Sequence, residues 1–169
     1  FFENVHSQMA LFALKNPNIK VNIKLKWVDD WYDKVESIVK RTCGGDIPNN
    51  LSIISGNDGS SLIFKSKVIV AFGSTVLLEA GILGRHVILP IFDEASEKRF
   101  HKYFPLYEAI SGCYVANNKE ELFNLTSSLM NTPVNGLAKN KIMKNLYEKY
   151  LGKLEDNTED LLIDFLKGF

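Results

Sequence analysis

Val68-Ile-Val-Ala-Phe-Gly-Ser-Thr-Val-Leu-Leu-Glu-Ala-Gly-Ile-Leu-Gly-Arg-His-Val-Ile-Leu-Pro90 decides the fold. Lys67 to Phe72 is an almost wholly apolar strand, of the kind found in a parallel sheet covered on both faces. A Gly73-Ser74-Thr75 turn follows, then a helix over 75–83 that Gly84 ends, then a second buried strand from His86 to Ile91. The turn sets backbone N–H groups and two hydroxyls at a helix N-terminus, where an anion is favoured. Glu79 lies four residues after Thr75, so the two share one helix face. A phosphate-friendly turn with a carboxylate one turn further on suits a nucleotide, with diphosphate at the turn and ribose on the acid.

Working outward, residues 2–15 carry Phe2, Val5, Met9 and Phe12 at a helical period, and Asn16-Pro17-Asn18 stops that helix. Ile19 to Trp27 alternates apolar and polar residues and predicts a strand. Residues 30–41 predict a helix ended by Gly44-Gly45, and Leu51–Ser55 a short strand. Gly56-Asn57-Asp58 is a turn, and Ser60–Phe64 fits one or two helical turns. Beyond the central block, helices are expected over 94–103 and 106–110, a strand over 113–115, and a helix from Lys119 to Met130. The segment 131–136 reads as a loop, and two further helical stretches, 137–151 and 158–168, close the chain. Alternating helix and strand predicts an α/β fold with a doubly wound parallel sheet. In such a sheet ligands bind outside the carboxyl ends of the strands. Those ends include Lys26, Ser55 to Asn57, Phe72 to Ser74 and Pro90 to Asp93.

The 169 residues suit one domain with a tail, divided as 1–151 and 152–169. Twenty basic residues balance twenty acidic ones, and no basic run occurs, which argues against a nucleic-acid partner. Cys43 and Cys113 stand alone without a Cys-x-x-Cys or Cys/His spacing, so no metal site is expected. No signal peptide is recognisable, and no apolar run approaches the ~18 residues of a membrane span. The chain opens on Phe1, not methionine, and is expected to belong to a longer protein.

Gly73-Ser-Thr-Val-Leu-Leu-Glu79-Ala80, Gly84 and an apolar strand ending in Pro90 together resemble the nucleotide-sugar half of GT-B glycosyltransferases. Lys26 at a strand end, and the pattern from Tyr150-Leu-Gly152 through Leu162, are similar to bacterial capsule and surface-polysaccharide members. The resemblance implies a Rossmann-like C-terminal domain without the family's N-terminal acceptor domain. It implies a Leloir-type transferase moving sugar from a nucleotide-activated donor to a surface polysaccharide or glycolipid, with this portion alone inactive. Carried over, Gly73, Ser74, Thr75 and Lys26 meet the donor phosphates, Glu79 the ribose, and Asp93 and Glu94 the donor sugar. No cofactor or metal is implied. The general base, and contact with the acceptor, would come from the missing half. The location implied is cytoplasmic, with the full-length protein peripheral to the inner face of the cell membrane.

Other readings stay open. Gly73-Ser74-Thr75 also suits a plain helix cap, and Lys26, like Lys20, Asn22 and Lys24, suits a solvated strand face. A non-hydrolysing nucleotide-sugar 2-epimerase would carry paired acids, whereas Ala80 follows Glu79. A teichoic-acid-type polyol-phosphate transferase would carry histidines beside the lysine, and Trp27 stands there instead. A non-catalytic flavodoxin-like interaction module would bind no nucleotide. His86 and His6 read as structural, His101 as a surface residue, and Arg85 as compensating the charge at the end of the preceding helix.

Overall fold

A computed structural model describes residues 1–26, 30–56, 59–98, 107–134 and 141–153. Positions 99–103 and 106 of the helices expected over 94–103 and 106–110, positions 137–140 of the one expected over 137–151, all of 158–168, and residues Trp27, Asn57, Asp58 and His101 lie outside them.

Five strands, each short and apolar on at least one face, alternate with helices. Helix α1 spans Phe2–Lys15 and leads to β1 at Val21–Lys24. Then come α2 (Trp31–Thr42), β2 (Leu51–Ile54), α3 (Gly59–Lys65) and β3 (Val68–Val70). Helix α4 (Val76–Ile82) precedes β4 (His86–Pro90). Two 3₁₀ turns, Asp93–Ser96 and Tyr107–Gly112, occupy described parts of the stretches expected as α-helix over 94–103 and 106–110. Strand β5 is Tyr114–Ala116, α5 is Lys119–Asn131 and α6 is Lys141–Leu151.

All strand pairs are parallel, but they form two sheets. β1 pairs with β2, with Val21 opposite Leu51 and Lys24 opposite Ile54. β4 lies between β3 and β5, with Val68 opposite His86 and Ile88 opposite Tyr114. The protein is therefore mixed α/β with small parallel sheets, and β1 and β3 are not hydrogen-bonded to each other. β3 and β4 are neighbours as expected, but among the described residues β3 is an edge strand. That position explains why Val68, Ile69 and Val70 are only half-buried while all of β4 is buried.

Side chains alternate along β3 and β4, so each strand feeds two cores. Ile69, Val87 and Leu89 pack with Leu77, Leu78, Ala80 and Leu83 of α4 and with Met143 and Leu146 of α6. Val68, Val70 and Ile88 pack on the opposite face with Val5 and Met9 of α1 and Leu122 and Leu129 of α5. The β1–β2 sheet buries Val21, Ile23 and Leu51 against Ala10, Phe12 and Ala13 of α1 and Val35 and Val39 of α2. Phe123 and Met130 of α5 join that cluster too. Helices α1 and α5 thus each contact the cores of both sheets. At the foot of α1, Asn50 Nδ2 donates to the carbonyls of Ala13, Asn16 and Ile19 at 3.0, 3.0 and 2.7 Å. This amide joins the helix end, the Pro17 loop and the start of β2. Helix α4 closes with Gly84 in the left-handed region at φ 66°, while Arg85 N–H donates to Ala80 O and Gly84 N–H to Gly81 O.

Candidate functional site

The β3–β4 ladder runs on to Ala71, whose N–H donates to Ile88 O at 3.2 Å. The chain then turns at Gly73, whose φ of 63° suits a residue without a β-carbon. Ser74 Oγ accepts from Val76 N–H at 3.4 Å, a weak cap, while Leu77 N–H donates to Ser74 O and the N–H groups of Leu78 and Glu79 to Thr75 O at 3.2, 2.9 and 3.1 Å. Gly73 and Thr75 are exposed and Ser74 half-buried. Thr75 Oγ1 donates to Glu79 Oε1 at 3.3 Å, so hydroxyl and carboxylate meet on one helix face as the spacing predicts. Glu79 lies between Leu78 and Ala80 in the sequence. Both of those are fully buried, yet Glu79 itself is half-buried and has Thr75.

Lys26 is exposed, just past the carboxyl end of β1, where Leu25 N–H still donates to Ile54 O at 2.8 Å. Lys24 instead turns its ammonium to Leu25 O at 2.7 Å. Lys26 thus follows β1 of the two-stranded sheet, and the Gly73–Thr75 turn follows β3 of the three-stranded sheet.

Asp93 and Glu94 lie at the end of β4, and the structure turns both toward α1. Asn4 Nδ2 donates to Asp93 at 2.7 Å, and the Phe1 ammonium lies 2.6 Å from Glu94 and 3.2 Å from Asp93. The Asn4 hydrogen bond, with the ammonium, holds the Asp93 carboxyl below its usual range, and the ammonium does the same for Glu94. Asp93 has a φ of 49°, left-handed and uncommon outside glycine, though Asp tolerates it better than most. The Phe1 ring stacks on Phe72 and Phe92 at 4.9 and 5.6 Å, joining the ends of β3 and β4. Beside Asp93 a polar cleft of about 340 Å³ is lined by Asn4, Phe92, Ser96, Asn117, Asn118 and Lys119, among others.

His86 is buried at the amino end of β4, its Nε2 3.2 Å from Thr132 O and its ring edge-on to Tyr114. His6 Nδ1 pairs with Phe2 O at 2.7 Å, and burial pushes its pKa down. Arg85 lays its guanidinium over Phe64 at 5.5 Å, with Nε buried and unpartnered, so its side chain packs on α3. Cys43 and Cys113 are free thiols. Burial raises both pKa values, that of Cys113 to about 12. Among the described residues no group of three or more His, Cys, Asp or Glu is gathered as for a metal. Among them, too, no helix is long and apolar enough to cross a membrane.

Two features were missed in the sequence. The Asn50 clasp has no local signal. The cap of α5 does: Asn118 Oδ1 accepts from Glu121 N–H and Glu121 accepts from Asn117 N–H, both at 2.8 Å, a reciprocal pattern readable from Asn118-x-x-Glu121. No protein-family model, curated protein or solved structure matches this chain.

Proposed function

We propose that this chain is the donor-binding, Rossmann-like half of a GT-B glycosyltransferase, a doubly wound domain that holds a nucleotide sugar. The observation that carries the reading is the Thr75–Glu79 contact at the carboxyl end of β3, with Lys26 at the carboxyl end of β1. The Gly73-Ser74-Thr75 turn and Lys26 receive the diphosphate, through backbone N–H groups, hydroxyls and an ammonium. Glu79 accepts hydrogen bonds from the ribose hydroxyls. Asp93 and Glu94, at the end of β4, would meet the donor sugar only on releasing Asn4 and the Phe1 ammonium.

Such a half lowers the barrier by stabilising charge that grows on the leaving nucleotide as the glycosidic bond breaks. The base that activates the acceptor hydroxyl belongs to a second domain, so the 169-residue chain binds donor but does not transfer sugar. The acceptor is a surface polysaccharide or glycolipid, reached from the cytoplasmic side of the membrane. Calorimetry with uridine, cytidine and guanosine diphosphates tests the reading. Saturable binding of one of them that Glu79→Ala weakens supports it. Binding of none overturns it and leaves an interaction module.

A further inference from the structure

Thr75 is the N-cap of α4, the position where a threonine hydroxyl ordinarily accepts from an N–H of the first helical turn. Its side chain makes no such bond. The N–H groups of Leu78 and Glu79 go instead to the Thr75 carbonyl, at 2.9 and 3.1 Å, and the weak cap on Val76 comes from Ser74. The Thr75 hydroxyl is thereby left for another partner, and it donates along the helix to Glu79 Oε1 at 3.3 Å.

That partner is a long side chain with rotamer freedom to lose. Glu79 is half-buried, and its chain neighbours Leu78 and Ala80 are fully buried, so its backbone is fixed while its carboxylate is not. Among the described residues Thr75 is the only hydrogen-bond partner of that carboxylate. A β-branched residue is stiff at χ1, so the Thr75 hydroxyl is a fixed donor against which the acid can be set. A carboxylate accepts at both oxygens, so a hydroxyl on Oε1 leaves Oε2 and a further lone pair of Oε1 for a ligand. At 3.3 Å the contact is longer than a closed hydroxyl–carboxylate bond, a kind of contact that tightens once a ligand is bound.

We propose that Thr75 is a positioning residue: its hydroxyl steers the Glu79 carboxylate toward the ribose and does not itself meet the diphosphate. The proposal rests on the donor-binding reading and narrows the part of one residue in it. Ser74 then supplies the turn's hydroxyl to the phosphates, beside Lys26 and the backbone N–H groups. The worth of the Thr75 hydroxyl is therefore felt only by a nucleotide whose ribose carries both of its hydroxyls.

The test is calorimetry on the 169-residue chain and its Thr75→Val and Thr75→Ser variants. The probes are uridine, cytidine and guanosine diphosphates, their 2′,3′-dideoxy forms and inorganic pyrophosphate. Thr75→Val keeps the branched shape and removes the donor. It should weaken the ribonucleotide that binds by about 3- to 10-fold, and leave the dideoxy form and pyrophosphate unchanged. Thr75→Ser should restore the ribonucleotide affinity, and Thr75→Val should cost nothing further in a Glu79→Ala background. Equal weakening of ribonucleotide, dideoxynucleotide and pyrophosphate places the hydroxyl on the phosphates and overturns the proposal while the donor reading stands. A Thr75→Val protein that binds every probe as the parent does overturns it in the same way. Binding of no nucleotide by the parent overturns the donor reading, and the proposal with it.

Discussion

A β-carbon placed on Gly81 of α4 would lie 2.6, 2.8 and 2.9 Å from Cε, Cγ and Cβ of Met143 in α6. Glycine there lets the two helices touch. Exposed helical glycines usually gain ~1 kcal/mol on mutation to alanine. Here the nearest atoms include Met143 Cβ, which cannot swing away, and overpacking costs ~1–3 kcal/mol. Gly81→Ala should lower unfolding stability by about 1–2 kcal/mol in urea melts, and Met143→Ala in the same chain should recover part of it. A more stable Gly81→Ala protein would show that the helices separate freely.

Glu79→Ala should weaken nucleotide diphosphate binding by about 10- to 100-fold, the effect of removing a hydrogen bond to a charged group. The Tm should hardly move, since the Thr75–Glu79 contact is exposed. Ser74→Ala should cost less affinity, because backbone N–H groups still meet the phosphate. Loss of folding with affinity retained in the remaining native protein would make Glu79 structural. Calorimetry and thermal melts on the same samples decide this.

Asn50 offers two N–H hydrogens to three carbonyls. Asn50→Ala should destabilise by about 1–2 kcal/mol, through the acceptors left without it. Asn50→Asp should cost more at pH 7, because a carboxylate would face three carbonyl oxygens. Its pKa would be raised by folding, so that deficit should shrink as pH falls through 5 toward ~4. Denaturation at pH 7 and pH 4.5 separates the two variants. Equal losses at both pH values would mean that the clasp carries no electrostatic component.

Cys113 is pushed up to about 12 by burial. A thiol that stays protonated when folded loses its advantage once the unfolded thiol ionises. Stability should therefore be unaffected by this group below pH 9 and fall as pH rises from about 9 toward 12. Cys113→Ala should flatten that alkaline decline relative to the parent. An identical alkaline profile for both proteins would assign the decline to other groups. Cys113 should also resist thiol reagents at pH 8 in the native state.

What was legible in the sequence follows from which forces are local. The period of Phe2, Val5, Met9 and Phe12 predicted α1, and the Asn16-Pro17 stop set its end at Lys15. The alternation from Ile19 was right in kind, although the paired strand is only Val21–Lys24. The Thr75–Glu79 relation was legible because four residues is one helical turn. The division of the sheet was not. An apolar triplet such as Val68-Ile69-Val70 reads alike whether central or at an edge, since pairing depends on strands distant in sequence. The turning of Asp93 and Glu94 toward Asn4 was hidden for the same reason, because that contact joins residues 89 positions apart.

Among the described residues the two sheets share no strand-to-strand ladder, and α1 and α5 are the helices that pack on the cores of both. Proteins open in contiguous blocks whose boundaries fall where few contacts cross. Here that boundary lies between the two sheets, and Phe12 against Phe123, edge-on at 5.8 Å, bolts the two helices together within the β1–β2 core. Loosening that pair would leave the β3–β4–β5 block folded while β1, β2 and α2 exchange on their own, turning one melting transition into two.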